Sequence, residues 1–143
     1  MKPSALELWG FTDGFAGAPA RWIARHEAGG APAWLYYFSY VREDARAGSP
    51  GAAHASEIPY VFDWPRAGPA AADRAMATLM HGCWVAFAKT GKPTCPSGQA
   101  WPAYTPEGDQ LMEFGVDSGV RQHFRKPELD VLEARFSDGK GPL

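Results

Sequence analysis

His54 is the residue whose type and position are best suited to chemistry. An imidazole takes up and releases a proton near neutral pH, which suits it to work first as a general base and then as a general acid. It lies in a Gly-containing segment, residues 51–62, directly after a strongly apolar run. In open α/β sheets, functional residues collect beyond the carboxyl ends of the strands. The position suits a catalytic base, although on the residues alone a solvated loop histidine is the favoured interpretation.

Two other roles for this segment are weaker on the residues alone: Glu57 as the acid that orients His54, and a metal site. Glu57 would need a tight reverse turn to reach the far ring nitrogen of His54, so we interpret it as a structural hydrogen-bonding residue. A zinc or iron site needs three or more protein ligands, and no His-Glu-x-x-His pattern is present. We therefore predict no metal site. The other histidines are interpreted as ordinary surface or boundary residues without partners: His26, His81 and His123.

The run before the histidine segment is nearly continuous in apolar and aromatic residues from 32 to 40. Such a run is typical of a strand buried on both faces of a parallel sheet. A second, short strand is predicted over residues 110–114, at the edge of the sheet. Between 42 and 50 the sequence is charged and contains Gly and Pro, which indicates a solvated loop. These features predict an α/β fold in which a loop carries His54.

Three helices are predicted around these strands. Apolar residues between 69 and 90 recur at spacings of three and four, which is typical of an amphipathic helix, and Gly91 and Pro93 end it. A first helix begins near residues 12 and 13 and ends at Gly29 and Gly30, and a last one covers 128–136. The residues predicted to share one face are Phe15, Trp22, Ile23 and His26 in the first helix, and Leu129, Leu132 and Phe136 in the last.

Composition is that of a globular piece with one domain as the simplest count. The 143 residues are 45% hydrophobic, which is enough for a core. The net charge of -2 comes from 14 basic and 16 acidic residues scattered along the chain, so we expect neither nucleic acid nor a membrane as partner. No signal peptide is recognised and no apolar run approaches the ~20 residues that span a bilayer. We therefore expect a cytoplasmic protein.

The two cysteines, Cys83 and Cys95, form neither a Cys-x-x-Cys pair nor a cluster with histidine. The sequence therefore signals no zinc site and no disulfide framework. Cys83 is interpreted as a small core residue. A bridge to Cys95, in the loop beyond the helix, stays open as the less favoured alternative.

Residues 51–62 closely resemble the catalytic-histidine loop of the type B carboxylesterases, the cholinesterase and para-nitrobenzyl esterase branch of the α/β-hydrolases. That loop has the pattern Gly-x-x-His-x-x-Glu-[Leu/Ile]-x-Tyr-Val-Phe, and His54 matches its histidine. Glycine is frequent in the family where this chain has Ala55. Phrases at 12–25, 84–93 and 101–104 resemble the same family in the same order. The resemblance covers 12–114 and implies that residues 1–143 are one partial α/β-hydrolase domain, the C-terminal portion.

The resemblance implies ester hydrolysis through an acyl-enzyme, in which a serine attacks and the histidine relays the proton. The family serine lies in Gly-x-Ser-x-Gly, and no serine of this chain has those neighbours. The triad acid and the oxyanion hole also belong to segments upstream. We therefore expect His54 to be the catalytic residue of this chain, a small-molecule ester to be the substrate of the complete enzyme, and a polypeptide with the serine-bearing half to be required. The alternatives are a catalytically silent, cholinesterase-like interaction protein and a gene fragment without activity.

Overall fold

The computed structural model describes residues 13–27, 31–64 and 67–138. The packing divides the chain into two compact units: the first comprises residues 1–35, 103–111 and 121–143, and the second comprises 36–102 and 112–120. The elements, in chain order, are a π-helical turn Asp13–Gly17, helix α1 Ala18–Glu27, strand β1 Tyr36–Phe38, a 3-10 helix Glu43–Gly48, helix α2 Ile58–Val61, helix α3 Ala71–Thr90, a 3-10 helix Pro96–Gly98, strand β2 Gln110–Phe114, strand β3 Gly119–Gln122 and helix α4 Lys126–Ser137.

The strands form a three-stranded sheet in the order β1-β2-β3. β1 and β2 are parallel, with Tyr36 opposite Met112 and Phe38 opposite Phe114. The bounds predicted for β2 are confirmed, but its place at the edge is wrong, because it lies between the other two strands. β3 was not predicted, since only one of its four residues is a large apolar one and no alternation is visible.

β1 is shorter than the predicted strand over 32–40, and its three residues are half-buried rather than buried on both faces. The pairing ends because the amides of Ser39 and Tyr40 both donate to the carbonyl oxygen of Phe114, at 2.9 and 3.1 Å. One acceptor for two donors breaks the regular ladder of a parallel pair. The apolar run therefore predicts the strand correctly but not its length.

Aromatic rings make up much of the core of the second unit. Tyr36 lies edge-on to Trp84, Trp101 and Phe114, with ring centroids 5.7, 6.0 and 6.1 Å apart. Each edge-to-face pair contributes about 0.5–1.5 kcal/mol beyond the area that it buries. Trp84 of α3 is thereby packed against β1.

Helix α3 confirms the predicted amphipathic helix. Its apolar stripe is buried at Met76, Met80 and Cys83. The helix ends where Gly91 adopts a φ of 73° and donates its N–H to the carbonyl oxygen of Phe87 at 2.8 Å. A left-handed residue at this position suits glycine, as the sequence predicted. The charged segment before His54 is solvated as expected, although it contains an unpredicted 3-10 helix without buried residues.

The face predicted for α1 is wrong. Ile23 is 52% exposed, whereas Ala18, Arg21 and Ala24 are buried. Arg21 is buried because its guanidinium pairs with three carboxylates of the same unit, those of Asp109, Asp130 and Glu133. The distance from Arg21 to Asp109 is 3.3 Å. A buried ion cluster contradicts the apolar pattern on which the prediction rested. The glycines predicted to end this helix lie outside the described residues.

Helix α4 begins two residues before the predicted start at 128. Leu129 is buried and Leu132 is half-buried, as the predicted face requires, while the side chain of Phe136 lies outside the described residues. At the helix start, Arg125 donates three hydrogen bonds to the Asp13 carboxylate, at 2.5 to 3.0 Å. Ion pairs as well as apolar contacts therefore hold this unit.

Cys83 and Cys95 form a disulfide, which corrects the expectation of two separate thiols. Cys83 is fully buried, so its interpretation as a core residue is confirmed. The turn at Gly91 brings the chain back along α3. A side chain at Gly82 would clash with Pro96, so the glycine lets the returning loop lie directly on the helix.

Loss of this bridge is expected to destabilise the second unit. The cysteines are 12 residues apart, and a closed loop of this length stabilises the fold by roughly 3 kcal/mol. Cys95→Ser should lower the melting temperature followed by circular dichroism. Reductant should lower the wild type to the same value and leave the variant unchanged. A wild-type melting temperature that is insensitive to reductant contradicts this prediction.

Candidate active site

The structure places His54 in a turn that lies beyond the carboxyl end of β1. The chain leaves β1 at Phe38 and reaches a turn over residues 54–57, in which the His54 side chain is exposed. The loop position agrees with the sequence analysis. An exposed imidazole at this edge is accessible to groups that do not belong to the turn itself.

Two serines shape the backbone on either side of His54. The Ser49 hydroxyl donates to the carbonyl oxygen of Gly51 at 2.6 Å and accepts from the Gly51 N–H at 3.2 Å. The hydroxyl and the amide of Ser56 both donate to the carbonyl oxygen of Ala53, at 2.7 and 3.1 Å. Such short-range bonds stabilise turns in place of helix or sheet bonds. The turn is therefore held mainly by its own neighbours.

Glu57 acts through its backbone rather than through its side chain at the start of α2. Its carbonyl oxygen accepts from the amides of Tyr60 and Val61 at 2.9 and 3.1 Å, and its carboxylate makes no capping hydrogen bond. Burial first, and the Glu57 charge second, raise the pKa of Tyr36. The four-residue helix was not predicted, because it is too short to show a periodic pattern.

Ala55 adopts a left-handed backbone directly after His54. Its φ is 63°, in the region where glycine is favoured and where other residues pay about 1–2 kcal/mol. This is the position at which the resembling family often has glycine. Backbone strain of this kind collects at functional sites. The direction in which His54 leaves the loop therefore depends on a strained neighbour.

Asp73 anchors the segment between β1 and His54 on α3. It is fully buried, and its Oδ1 accepts from the Tyr40 hydroxyl at 2.8 Å and from the Glu43 amide at 3.0 Å. Burial first, and the hydrogen bond to Asp73 second, raise the pKa of Tyr40 to about 12, so the hydroxyl stays protonated and donates. The sequence analysis missed Asp73. The signal was present, because an acid at 73 continues the buried stripe through Met76 and Met80.

The other histidines have partners, which corrects the expectation that they lack them. His26 packs on Trp22 with ring centroids 4.4 Å apart. His81 Nδ1 lies 2.8 Å from the Val61 carbonyl oxygen, and His123 Nδ1 lies 3.7 Å from Asp109. Among the described residues, no group of three or more histidine, cysteine or acidic side chains could hold a metal ion.

Residues 6–132 match the profile of the carboxylesterase family. The chain belongs to this family. Juvenile hormone esterase of Heliothis virescens is 33% identical, in a match that covers 85% of this chain and 24% of that protein. Human carboxylesterase 5A is 28% identical, in a match that covers 91% of this chain and 24% of that protein. Mouse neuroligin-3 is 27% identical, in a match that covers 73% of this chain and 16% of that protein.

Solved esterase structures share the fold. A PNB esterase superposes with a TM-score of 0.77 at 26% identity, over 91% of this chain and 28% of that chain. The Geobacillus stearothermophilus carboxylesterase EST55 gives a TM-score of 0.56 at 32% identity, over 72% and 22% of the two chains. The chain therefore has part of an α/β-hydrolase fold, as predicted. It spans about a quarter of the length of the esterases that it matches.

Relief of the strain at Ala55 is expected to stabilise the protein. Ala55→Gly should raise the free energy of unfolding by roughly 0.5–1 kcal/mol, because relief of the left-handed strain exceeds the entropy gained by the unfolded chain. Ala53→Gly is the matched control, since Ala53 is exposed and has no positive φ. The control should lower the same free energy. Urea unfolding followed by tryptophan fluorescence measures both, and equal losses would contradict strain at Ala55.

Proposed function

We propose that this chain is the C-terminal part of a serine carboxylesterase and contributes His54 as general base and then general acid. The observation that carries the proposal is the esterase-type histidine in a turn beyond β1, in a chain of the carboxylesterase family. The substrate class is a small carboxylic ester, and no metal or organic cofactor takes part. The serine, the acid that orients the imidazole and the oxyanion hole come from polypeptide outside this sequence.

The proposed reaction uses His54 twice. Neutral His54 first accepts the proton of the serine hydroxyl while the serine oxygen adds to the ester carbonyl. The resulting imidazolium gives that proton to the leaving alcohol as the ester C–O bond breaks. In the second half, His54 takes a proton from water, which attacks the acyl-enzyme, and returns the proton to the serine oxygen. A loop histidine with an exposed side chain is suited to this relay.

The partner that supplies the serine needs a surface to bind. Three exposed apolar side chains follow His54 in the second unit: Ile58 is 37% exposed, Phe62 59% and Trp64 47%. The Phe62 and Trp64 rings stack on each other with centroids 5.6 Å apart. Apolar groups clustered at the surface mark interaction sites. We infer that this apolar patch, Ile58, Phe62 and Trp64, contacts the serine-bearing polypeptide.

The cytoplasmic location expected from the sequence remains a prediction. Within the described part of the chain, no helix is long and apolar enough to cross a bilayer. The disulfide is a reason to test the location, since such bonds persist mainly in oxidising compartments.

Turnover of p-nitrophenyl butyrate tests the catalytic role. The isolated chain should give no turnover above buffer, because it contains no Gly-x-Ser-x-Gly. Because a complete hydrolase domain is larger than the usual ~100–200 residues, the serine-bearing part should be sought in about 1,000 bases upstream of the Met1 codon. An in-frame Gly-x-Ser-x-Gly there would identify the partner. Joined to that polypeptide, the chain should become active.

His54→Ala should then remove at least about 10³-fold of kcat, as loss of a triad member does. His26→Ala is the matched control, since His26 is also exposed, and should leave kcat unchanged. Turnover by the pure chain that His54→Ala abolishes would refute the need for a partner. Equal activity of His54→Ala and wild type in the joined enzyme would refute the role of His54. An upstream segment without the serine would favour a catalytically silent protein.

Polar substitution of the apolar patch is expected to reduce self-association of the isolated chain. Phe62→Ser with Trp64→Ser should lower both the apparent mass in light scattering and the binding of a hydrophobic dye. Val116→Ser is the control, because Val116 is 70% exposed in the same unit and lies far along the chain from His54. Two outcomes contradict a docking role for the patch. One is a wild-type chain that is a monodisperse monomer with a sharp melt, and the other is a Val116→Ser control that reduces self-association as much as the double variant.

A further inference from the structure

We propose that Asp73 is a positioning residue for His54, because its carboxyl fixes the base of the loop that carries the histidine. The consequence for catalysis rests on the function proposed above, whereas the effect on the loop does not. Asp73 lies in the first turn of α3, nineteen positions after His54, and accepts hydrogen bonds from Tyr40 and Glu43 at the base of the loop.

The Asp73 carboxyl is placed where an acid is costly to keep. The side chain is fully buried, and its Oδ2 has no hydrogen-bond partner among residues 13–27, 31–64 and 67–138. A side chain at Gly68 would clash with this oxygen, and Gly68 has a φ of 130° that suits glycine. A buried polar atom left unpaired is destabilising. The two hydrogen bonds that Oδ1 accepts, from Tyr40 and Glu43, therefore offset the free-energy cost of burying the acid.

Those bonds hold the entrance of the histidine loop, and an aromatic pair joins the entrance to the exit. Tyr40 lies two residues after β1, and Tyr60 lies in α2, six residues after His54. The two rings meet edge-on with centroids 5.5 Å apart, and Tyr60 also contacts Phe38 at 5.3 Å. The loop between 40 and 60 is therefore closed at its base, and Asp73 fixes the hydroxyl of one of the two closing rings.

One side of the loop adds little packing to the local hydrogen bonds of the turn. A pocket of about 290 Å³, open to solvent, is lined among others by Tyr40, Ala52, Ala53, Ser56 and Tyr60. Local hydrogen bonds shape the turn, and the contacts at the base connect it to the rest of the unit. The closed base therefore sets where the turn, and with it His54, lies.

The hydrogen bonds of Asp73 suggest a discriminating set of variants. Asp73→Asn retains an Oδ1 that accepts from Tyr40 and Glu43, and its amide group replaces the oxygen that has no partner. Asp73→Ala removes both bonds, and Tyr40→Phe removes one donor with little change in shape. Met80→Ala is the structural control, because Met80 is fully buried in the same helix and its loss destabilises through packing.

Hydrogen exchange measured by mass spectrometry on the full chain tests the positioning. Asp73→Ala and Tyr40→Phe should raise exchange in peptides that cover residues 43–57 by about tenfold relative to peptides of α4 in the first unit. Asp73→Asn should exchange like the wild type, and Met80→Ala should show no selective rise over 43–57. Wild-type exchange in Asp73→Ala, equal rises in the alanine and asparagine variants, or the same selective rise in Met80→Ala would each overturn the proposal.

Kinetics in the joined enzyme separate this proposal from the proposed function. Asp73→Ala should lower kcat by about tenfold or more with KM changed less than about twofold, and Asp73→Asn should restore kcat. A fall in kcat that asparagine does not restore would overturn a positioning role. Absence of turnover in every variant would count against the esterase function, while the exchange pattern would still decide whether Asp73 holds the loop.

Discussion

The buried hydrogen bonds of Asp73 are the interaction on which the candidate site depends. They tie the longest helix, α3, to the segment that leaves β1 and leads to His54. Two turns before its C-terminal end, the same helix is covalently joined by Cys83 to the loop that follows it. Helix α3 thus holds two loops of the second unit, one by hydrogen bonds and one by a disulfide. Its own position is fixed by the apolar stripe, which is buried at Met76 and Met80.

The sequence could predict elements whose local pattern matches their final environment. The stripe of α3 and the stop at Gly91 depend on burial and backbone conformation within a short stretch, so both are visible in the residues themselves. β2 has the expected bounds for the same reason. α2 and β3 have only four residues each, too few for a period to appear. Asp73 was overlooked because an acid at a helix start is also what the helix dipole favours, even in solvent.

Two expectations were wrong, each for its own physical reason. The run over 32–40 has the composition of a strand covered on both faces, while β1 is three residues long and half-buried. The chain spans about a quarter of the length of the esterases that it matches. In the enzyme proposed above, the rest of the domain would cover this apolar run. The prediction of the buried face of α1 was wrong because the burial of Arg21 depends on carboxylates more than 80 residues away in sequence. No local periodicity can show such a pairing. His54 itself is recognisable only from the phrase around it, because a single histidine has no pattern of its own.

The site divides into a well-fixed base and a poorly supported tip. Asp73, Tyr40 and Tyr60 fix the base, whereas the tip contains the left-handed Ala55 beside an open pocket. The exposed rings of Phe62 and Trp64 follow the base in sequence. A partner that binds the folded tip stabilises it by mass action, in proportion to the logarithm of its concentration over its dissociation constant. The free energy of binding can therefore offset the strain at Ala55 and cover the exposed rings in one step. In the proposed enzyme, the serine-bearing polypeptide would thus complete the surroundings of the His54 turn, while α3 holds the base of its loop.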